Sequence, residues 1–220
     1  LHQMFVNILG DIHLADLPKK VLIATFDLDA AVRPGKPRSW KAKFFHNFPG
    51  PDSDAWARVA DVGVMTSAAP TYFPIYQGHI DGGVVATNPS MCALAQALHK
   101  GTGNQRLRDI RLLSLGTGSV SQFIPSTDGD WGLAQWAPKL VNLMLDGNGG
   151  LADYQCRQVL EGHYHRLNPP LYKNIEMDDV KEIDYLLQVA DQENLDATAA
   201  WLRSEFMGGR VRRGTGSPTA

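Results

Sequence analysis

A short, uninterrupted apolar run near the start of the chain restricts the fold most strongly. Residues 21–26 read Val-Leu-Ile-Ala-Thr-Phe, without the polar alternation of a strand that has one face in water. A run of this kind, bounded by Lys19-Lys20 and by Asp27, is typical of a strand buried on both faces. It predicts a central strand of a sheet.

Two further segments have the pattern of strands. Residues 40–48 place Phe44, Phe45 and Phe48 among basic residues and stop at Pro49-Gly50, which predicts a strand nearer the edge of the sheet. Residues 110–115 form another apolar run, which ends in the loop sequence Gly-Thr-Gly-Ser at 116–119. This run predicts a second buried strand.

Helical patterns separate these strands. One helix is expected to begin at Ser53 or Asp54, to carry Trp56, and to break before Pro70. Another is expected to begin at Asn88-Pro89, with asparagine as the N-cap and proline in the first turn, and to run to Lys100-Gly101. Further helices are expected over 131–145, 151–161, 179–190 and 194–206. Strands separated by helices predict an α/β protein.

Composition and charge narrow the class of protein. The chain has 220 residues, of which 44% are hydrophobic and 20% charged, so disorder, collagen and coiled coil are excluded. With 21 basic and 23 acidic residues the formal net charge is −2, which gives no electrostatic reason to expect nucleic acid as a partner. No apolar stretch reaches the roughly 18 to 20 residues of a membrane-spanning helix.

The cysteines and the chain ends support three more expectations. Cys92 and Cys156 lie far apart in helical apolar patterns, so free thiols are favoured over a disulfide. The chain begins with Leu1, which suggests a start inside a longer protein. We expect one domain over residues 1–207. Residues 208–220 carry three arginines and little apolar content, so they predict a flexible basic tail, with weak contact to a lipid surface as the alternative.

Asp81-Gly82-Gly83 is the strongest candidate for a functional segment. It follows an apparent strand and precedes the Asn88-Pro89 helix start. A plain turn is one interpretation of Asp-Gly. The other is a site, because ligands of open α/β sheets bind at the carboxyl ends of strands and paired glycines permit close backbone approach. In that case Asp81 could act as the base for a serine hydroxyl.

The nucleophile is not found in the sequence. A nucleophile elbow needs a serine with glycine two residues before and two after it, and no serine of the chain meets that pattern. The 116–119 loop lacks the third glycine of a dinucleotide fingerprint, so a tight structural loop is favoured over nucleotide binding. His163 and His165 have no third ligand at a metal-site spacing. His79 shares a strand face with Asp81, but a Ser-His-Asp triad also needs the serine.

Several blocks together resemble the patatin-like phospholipase family. These are Ser67-Ala-Ala-Pro-Thr-Tyr-Phe-Pro74, then Asp81-Gly-Gly with Asn88-Pro89, then Leu112-Leu-Ser-Leu-Gly-Thr-Gly118, in the family's order. Weaker likeness extends the resemblance to about Phe206. It corresponds to the C-terminal portion of the family domain, because the family's elbow and glycine-rich oxyanion loop have no counterpart here.

The resemblance implies a fold and an activity. The family fold is a three-layer α/β/α sandwich around a mostly parallel sheet, and its activity is lipid acyl-ester hydrolysis by a Ser-Asp dyad without a cofactor or a metal. Asp81 matches the dyad aspartate. Gly82, Gly83, Tyr72 and Phe73 are the candidate substrate-binding residues. For Tyr72 and Phe73, as for Ile75 and Tyr76, packing in the core is the favoured role and lining an acyl chain is the alternative.

Two functions of different classes therefore remain open. The first is a lipid acyl hydrolase whose serine lies in a missing N-terminal segment, with lipid or phospholipid as the substrate and a transient contact with a membrane surface. The complementary N-terminal fragment would then be a possible partner, and the location cytoplasmic or peripheral to a membrane. The second is a catalytically silent binding module. An upstream Gly-x-Ser-x-Gly sequence would distinguish them.

Overall fold

The structure is a computed structural model that describes residues 1–30, 37–124 and 129–208. It divides into two compact units. Unit 1 comprises Leu1–Arg106 and Trp131–Tyr154, and unit 2 comprises Leu107–Asp130 and Gln155–Ala220. The expected flexible tail begins at Gly208, and all of it beyond that residue lies outside the described residues.

The sheet of unit 1 has three strands in the order β2-β1-β3. They are β1 (Leu22–Ala30), β2 (Ser39–His46) and β3 (His79–Asp81). Both neighbours run antiparallel to β1, with Leu22 opposite His46 and Thr25 opposite Asp81. Ala24 and Thr25 are buried. The predictions of a central strand at 21–26 and of an edge strand after it are confirmed.

Four helices of unit 1 surround these strands in the chain. They are α1 (His2–Leu9), α2 (Val59–Thr66), α3 (Gly83–Ala86) and α4 (Ser90–Leu98). At the contact of α1 with α2, a Cβ built on Gly63 would lie 2.8 Å from the Phe5 ring, so the ring lies directly against the main chain. Ala60, Val62 and Val64 of α2 are buried and supply much of the core of this unit.

The predicted start of the second helix at Ser53 or Asp54 is wrong. The helix begins at Val59, and Trp56 lies before it with its side chain 82% exposed. The reason is that Asp54 is committed to β2. Its carboxylate accepts from Lys43 Nζ at 2.5 Å and from the His46 N–H at 3.1 Å, and its own N–H donates to the His46 carbonyl.

The predicted helix start at Asn88-Pro89 is confirmed. Asn88 Oδ1 accepts hydrogen bonds from the Ser90 N–H at 3.2 Å and from Ser90 Oγ at 2.6 Å, which satisfies a donor of the first turn. The helix α4 ends at Leu98, two residues before the predicted Lys100-Gly101 stop.

A single long helix replaces two predicted ones. Helix α5 (Leu133–Leu160) has 28 residues and continues through Gly147, Gly149 and Gly150, where a break was expected. Its first part belongs to unit 1 and its last turns to unit 2. None of the helices in the described ranges combines the length and apolar content that a membrane span requires.

Unit 2 contains two small parallel sheets. In one, β4 (Leu112–Leu115) pairs with β6 (Tyr164–Leu167); in the other, β5 (Ser119–Val120) pairs with β7 (Pro170–Leu171). Helices α6 (Ile183–Gln192) and α7 (Asp196–Trp201) follow, and a π-helical segment occupies Leu202–Met207. Trp201 stacks on His165 of β6 with ring centroids 5.4 Å apart.

The α/β class is confirmed, but the finer expectation of a three-layer sandwich around a mostly parallel sheet is not. The three-stranded sheet is antiparallel, and parallel pairing occurs only in the two-stranded sheets among the described residues. Both cysteines are free, as predicted: Cys156 is buried and Cys92 is half-buried, where burial raises the pKa of its thiol.

Candidate active site around Asp81

Asp81 is the last residue of β3 and lies opposite Thr25 of the central strand. Its N–H donates to the Ala68 carbonyl at 3.0 Å, and the next N–H, of Gly82, donates to the Thr66 carbonyl at 3.4 Å. The end of α2 and the residues after it therefore fix the main chain at this point.

The Asp81 side chain has one oxygen bound and one open. Oδ1 accepts from the Gly83 N–H at 2.6 Å, an Asx-type contact that fixes the rotamer at the start of α3. No hydrogen bond to Oδ2 occurs within the part of the chain that the structure describes. The residue is half-buried. An oriented carboxylate with a free oxygen can accept a proton from a hydroxyl placed within hydrogen-bond reach.

Gly82 lies where two main-chain segments meet. A Cβ built on Gly82 would be 2.1 Å from the carbonyl oxygen of Ala24 in β1. That same carbonyl accepts from Thr66 Oγ1 at 2.7 Å. At Gly83 the crowding is milder, with a Cβ 3.0 Å from Asp81 Oδ1. The close approach at Gly82 is thus that of the central strand.

The segment between α2 and β3 is buried at its start and exposed in its middle. Ala68 and Ala69 are 1% and 5% exposed, whereas Tyr72, Phe73 and Ile75 are 38%, 43% and 60% exposed. Thr71 has φ 75°, a left-handed conformation that is uncommon for a β-branched residue. The favoured core role of Tyr72, Phe73 and Ile75 is therefore wrong, because the chain turns outward after Ala69.

A cluster on unit 1 was not expected from the sequence. Tyr76 Oη donates to Asp61 Oδ1 at 2.8 Å, and His2 Nε2 lies 3.1 Å from the same oxygen. The His2 and Tyr76 rings stack at 5.8 Å. Burial, and after it the hydrogen bond to Asp61, raises the pKa of Tyr76 above its usual value. The three residues come from α1, α2 and the turn before β3, so no local pattern joins them.

His79 is occupied by its own turn. Its Nδ1 lies 2.8 Å from the Gln77 carbonyl, and its ring packs 5.5 Å from that of Phe45. The described contacts include none between the imidazole and the Asp81 carboxylate. The histidine therefore does not orient the aspartate as a triad histidine is oriented by its carboxylate.

The other sequence candidates lie in unit 2. In the 116–119 loop, the Gly118 N–H donates to Asn168 Oδ1 at 3.0 Å, so a side chain holds the loop internally. His165 Nε2 lies 2.8 Å from Thr198 Oγ1, whereas His163 Nε2 lies 3.7 Å from Glu205 Oε2. A search of the described residues finds no group of three ligands that could hold a metal ion.

Comparison with known proteins supplies relatives but no family model. No protein-family model matches the chain. It is 28% identical to the putative sporulation hydrolase CotR of Bacillus subtilis, over 90% of this chain and 67% of that protein. It is 28% identical to patatin-like protein 2 of Arabidopsis thaliana, over 90% of this chain and 54% of that protein.

A third relative is named for its activity. The chain is 24% identical to a cGAMP-activated phospholipase of Pseudomonas aeruginosa, over 78% of this chain and 50% of that protein. The chain thus spans about half to two thirds of the length of these curated relatives. Since its curated homologues are patatin-like proteins and phospholipases, the comparisons confirm the resemblance and support membership of the patatin-like family.

Proposed function

We propose that the protein is a lipid acyl hydrolase of the phospholipase A or esterase type, in which Asp81 is the base of a Ser-Asp dyad. The observation that carries the proposal is the fixed Asp81 carboxylate, with Oδ1 bound to the Gly83 N–H and Oδ2 open, in a chain whose relatives include a phospholipase. The nucleophilic serine and the oxyanion donors would come from sequence outside residues 1–220, either in the same polypeptide or in a complementary fragment.

The proposed chemistry has two half-reactions. Asp81 Oδ2 accepts the proton of the serine hydroxyl as its oxygen attacks the ester carbonyl, and backbone N–H groups stabilise the tetrahedral oxyanion. The oxyanion collapses, the protonated alcohol leaves, and an acyl-serine remains. Water then attacks the acyl group with Asp81 as the base again, and the fatty acid is released.

The substrate side of the site is proposed from exposure. Tyr72 and Phe73 are partly exposed apolar side chains in the segment that leads to β3, and in this role they line the path of an acyl chain. Gly82 and Gly83 would then form the main-chain wall beside the ester. The proposal includes no metal, cofactor or nucleic acid, and it places the protein in the cytoplasm or at a membrane periphery through transient contact with its lipid.

The alternative is a catalytically silent patatin-like module that acts by binding. The observation in its favour is that no serine of the sequence has glycine at both flanking elbow positions. The two functions differ in what the complete gene encodes. A Gly-x-Ser-x-Gly sequence outside the present 220 residues supports the hydrolase, and its absence supports the silent module.

The test is the Asp81→Asn substitution in the full-length protein. We expect turnover of a soluble p-nitrophenyl ester to fall by about 100- to 10,000-fold, which is the typical loss when a general base is removed. The melting temperature should stay close to that of the wild type, because an amide oxygen can still accept from the Gly83 N–H.

The matched control is His79→Gln, two residues away on the same strand. A Ser-Asp dyad does not use this histidine, so the chemical step should persist. Near-normal turnover by a folded Asp81→Asn protein would remove Asp81 from the mechanism. Loss of activity in His79→Gln without loss of thermal stability would instead favour a triad.

A further inference from the structure

Large apolar side chains lie uncovered along the first half of α5. Four of them recur at i, i+3, i+7 and i+10, the spacing of one helix face, and a fifth lies beside the last. We call this set the α5 stripe; its members and their exposures are Leu133 80%, Trp136 38%, Leu140 39%, Leu143 47% and Met144 66%. The helix is therefore apolar along a face that no described residue buries.

A polar face accompanies the stripe. Gln135, Lys139, Asn142 and Asp146 recur at i, i+4, i+7 and i+11, and all four are exposed. Lys139 and Asp146 are the only charged residues between positions 131 and 151. An apolar stripe beside a polar face is the pattern of a helix that lies in the plane of a water–lipid interface.

Hydrogen bonds hold α5 beside the segment that begins at Asp81. Asn148 Nδ2 donates to the Val85 carbonyl at 2.8 Å, four residues after Asp81. Thr87 Oγ1 donates to the Leu145 carbonyl at 3.0 Å, and Asn88 Nδ2 donates to the Gly149 carbonyl at 3.4 Å. A separate face of the helix thus makes the protein contacts, and these contacts leave the stripe uncovered.

The size and charge of the stripe indicate what covers it. Its five side chains expose on the order of 500 Å² in total, since a large apolar side chain carries about 150–250 Å². A stable protein complex buries about 800 Å² per partner, so a second copy of the chain or another protein would need more surface than the stripe offers. The stripe itself carries no charge, which complements uncharged hydrocarbon.

We propose that the α5 stripe is the surface by which the protein docks on a phospholipid bilayer. The inference rests on the proposed function, because a lipid hydrolase must meet its substrate at such a surface. The helix lies on the bilayer with Leu133, Leu140 and Leu143 among the acyl chains, and Lys139 and Asp146 remain in water. Docking there brings the segment that starts at Asp81 to the interface.

The experiment measures vesicle binding apart from hydrolysis. Full-length protein carrying Asp81→Asn, so that the lipid stays intact, is sedimented with phosphatidylcholine vesicles. Adding Leu133→Gln, Leu140→Gln and Leu143→Gln should lower the partition coefficient by about 10- to 100-fold, because three apolar side chains no longer enter the acyl region. Circular dichroism melts report whether the variant folds.

The matched control changes three similarly exposed apolar residues of unit 2, as Val180→Gln, Ile183→Gln and Leu187→Gln, which are 72%, 51% and 58% exposed. This variant should bind vesicles as the parent does. If the triple stripe variant does not fold, Leu133→Gln alone, at the exposed first turn, should still weaken binding several-fold.

Three results would overturn the inference. They are unchanged vesicle binding by the folded stripe variant, an equal loss in the unit 2 control, and a lipid-free dimer that the stripe substitutions dissociate. Failure of the proposed function is a separate result: it would be the absence of soluble-ester hydrolysis by the wild type, an assay that contains no vesicles.

Discussion

At Gly82 the main chain lies so close to the central strand that no side chain fits. Because the obstacle is the Ala24 carbonyl, 2.1 Å from a Cβ at this position, neither rotamer change nor a flexible neighbour can relieve it. We expect Gly82→Ala to lower the free energy of unfolding by at least about 2 kcal/mol, as overpacking against backbone does. Urea unfolding followed by circular dichroism measures it.

A glycine in open space provides the comparison. At Gly162 an added Cβ would have nothing within 4 Å, so Gly162→Ala should change stability by less than about 1 kcal/mol. If Gly82→Ala were as stable as this control, β1 and β3 would have to be farther apart than described, and the fixed position of the neighbouring Asp81 would lose its basis.

Tyr76 links stability to alkaline pH. Its pKa is raised above 10.0 in the folded state by burial and by its bond to Asp61, so the folded state retains the proton longer than the unfolded state does. This contribution is fully present below pH about 10 and is lost as the pH rises through the folded-state pKa.

The Tyr76→Phe variant tests this linkage. It should be less stable than the wild type by about 0.5–1.5 kcal/mol at pH 7, and the difference should shrink above pH 10. Urea unfolding between pH 7 and 11 gives both values. Tyr172→Phe, at a tyrosine that is 85% exposed, serves as the control and should show little difference at pH 7. A Tyr76→Phe gap that stays constant to pH 11 would contradict the prediction.

Among the elements, those with local signals were predicted well. Asn88 and Pro89 determine where α4 begins through contacts within two residues, and the apolar run at 21–26 marks the central strand. The direction of strand pairing was not predictable, because β1 pairs with residues 39–46 and 79–81 and nothing within the run specifies antiparallel neighbours. The Asp61–Tyr76–His2 cluster escaped for the same reason, since it joins three distant segments.

The glycines at 147–150 misled the interpretation of α5, because glycine commonly ends a helix. In the structure they lie inside it, and a Cβ added at Gly150 would enter open space. Gly150→Ala should therefore stabilise the protein by about 0.5–1 kcal/mol, since alanine loses less backbone entropy in a helix. Thermal melts measure the change. Destabilisation would indicate a turn here and restore the two-helix interpretation.

For the whole molecule, the proposed division of the active site predicts the behaviour of residues 1–220 alone. They contain Asp81 but no serine in an elbow sequence, so they should hydrolyse no ester or phospholipid. Assays with purified protein and short-chain esters test this, and co-expression with a fragment that carries the serine should restore activity. Hydrolysis by residues 1–220 that a serine-reactive inhibitor blocks would reveal a nucleophile in this chain.

The two units are each built from separated pieces of chain, and this has a consequence during synthesis. Unit 1 needs Trp131–Tyr154 to complete it, although Leu107–Asp130 of unit 2 is translated first. On a ribosome, Thr87 and Val85 must wait about 60 residues for their α5 partners, with apolar surface of the nascent chain uncovered meanwhile. A stop codon at position 131 would therefore remove part of both units, and the truncated product would be a substrate for chaperones and proteases.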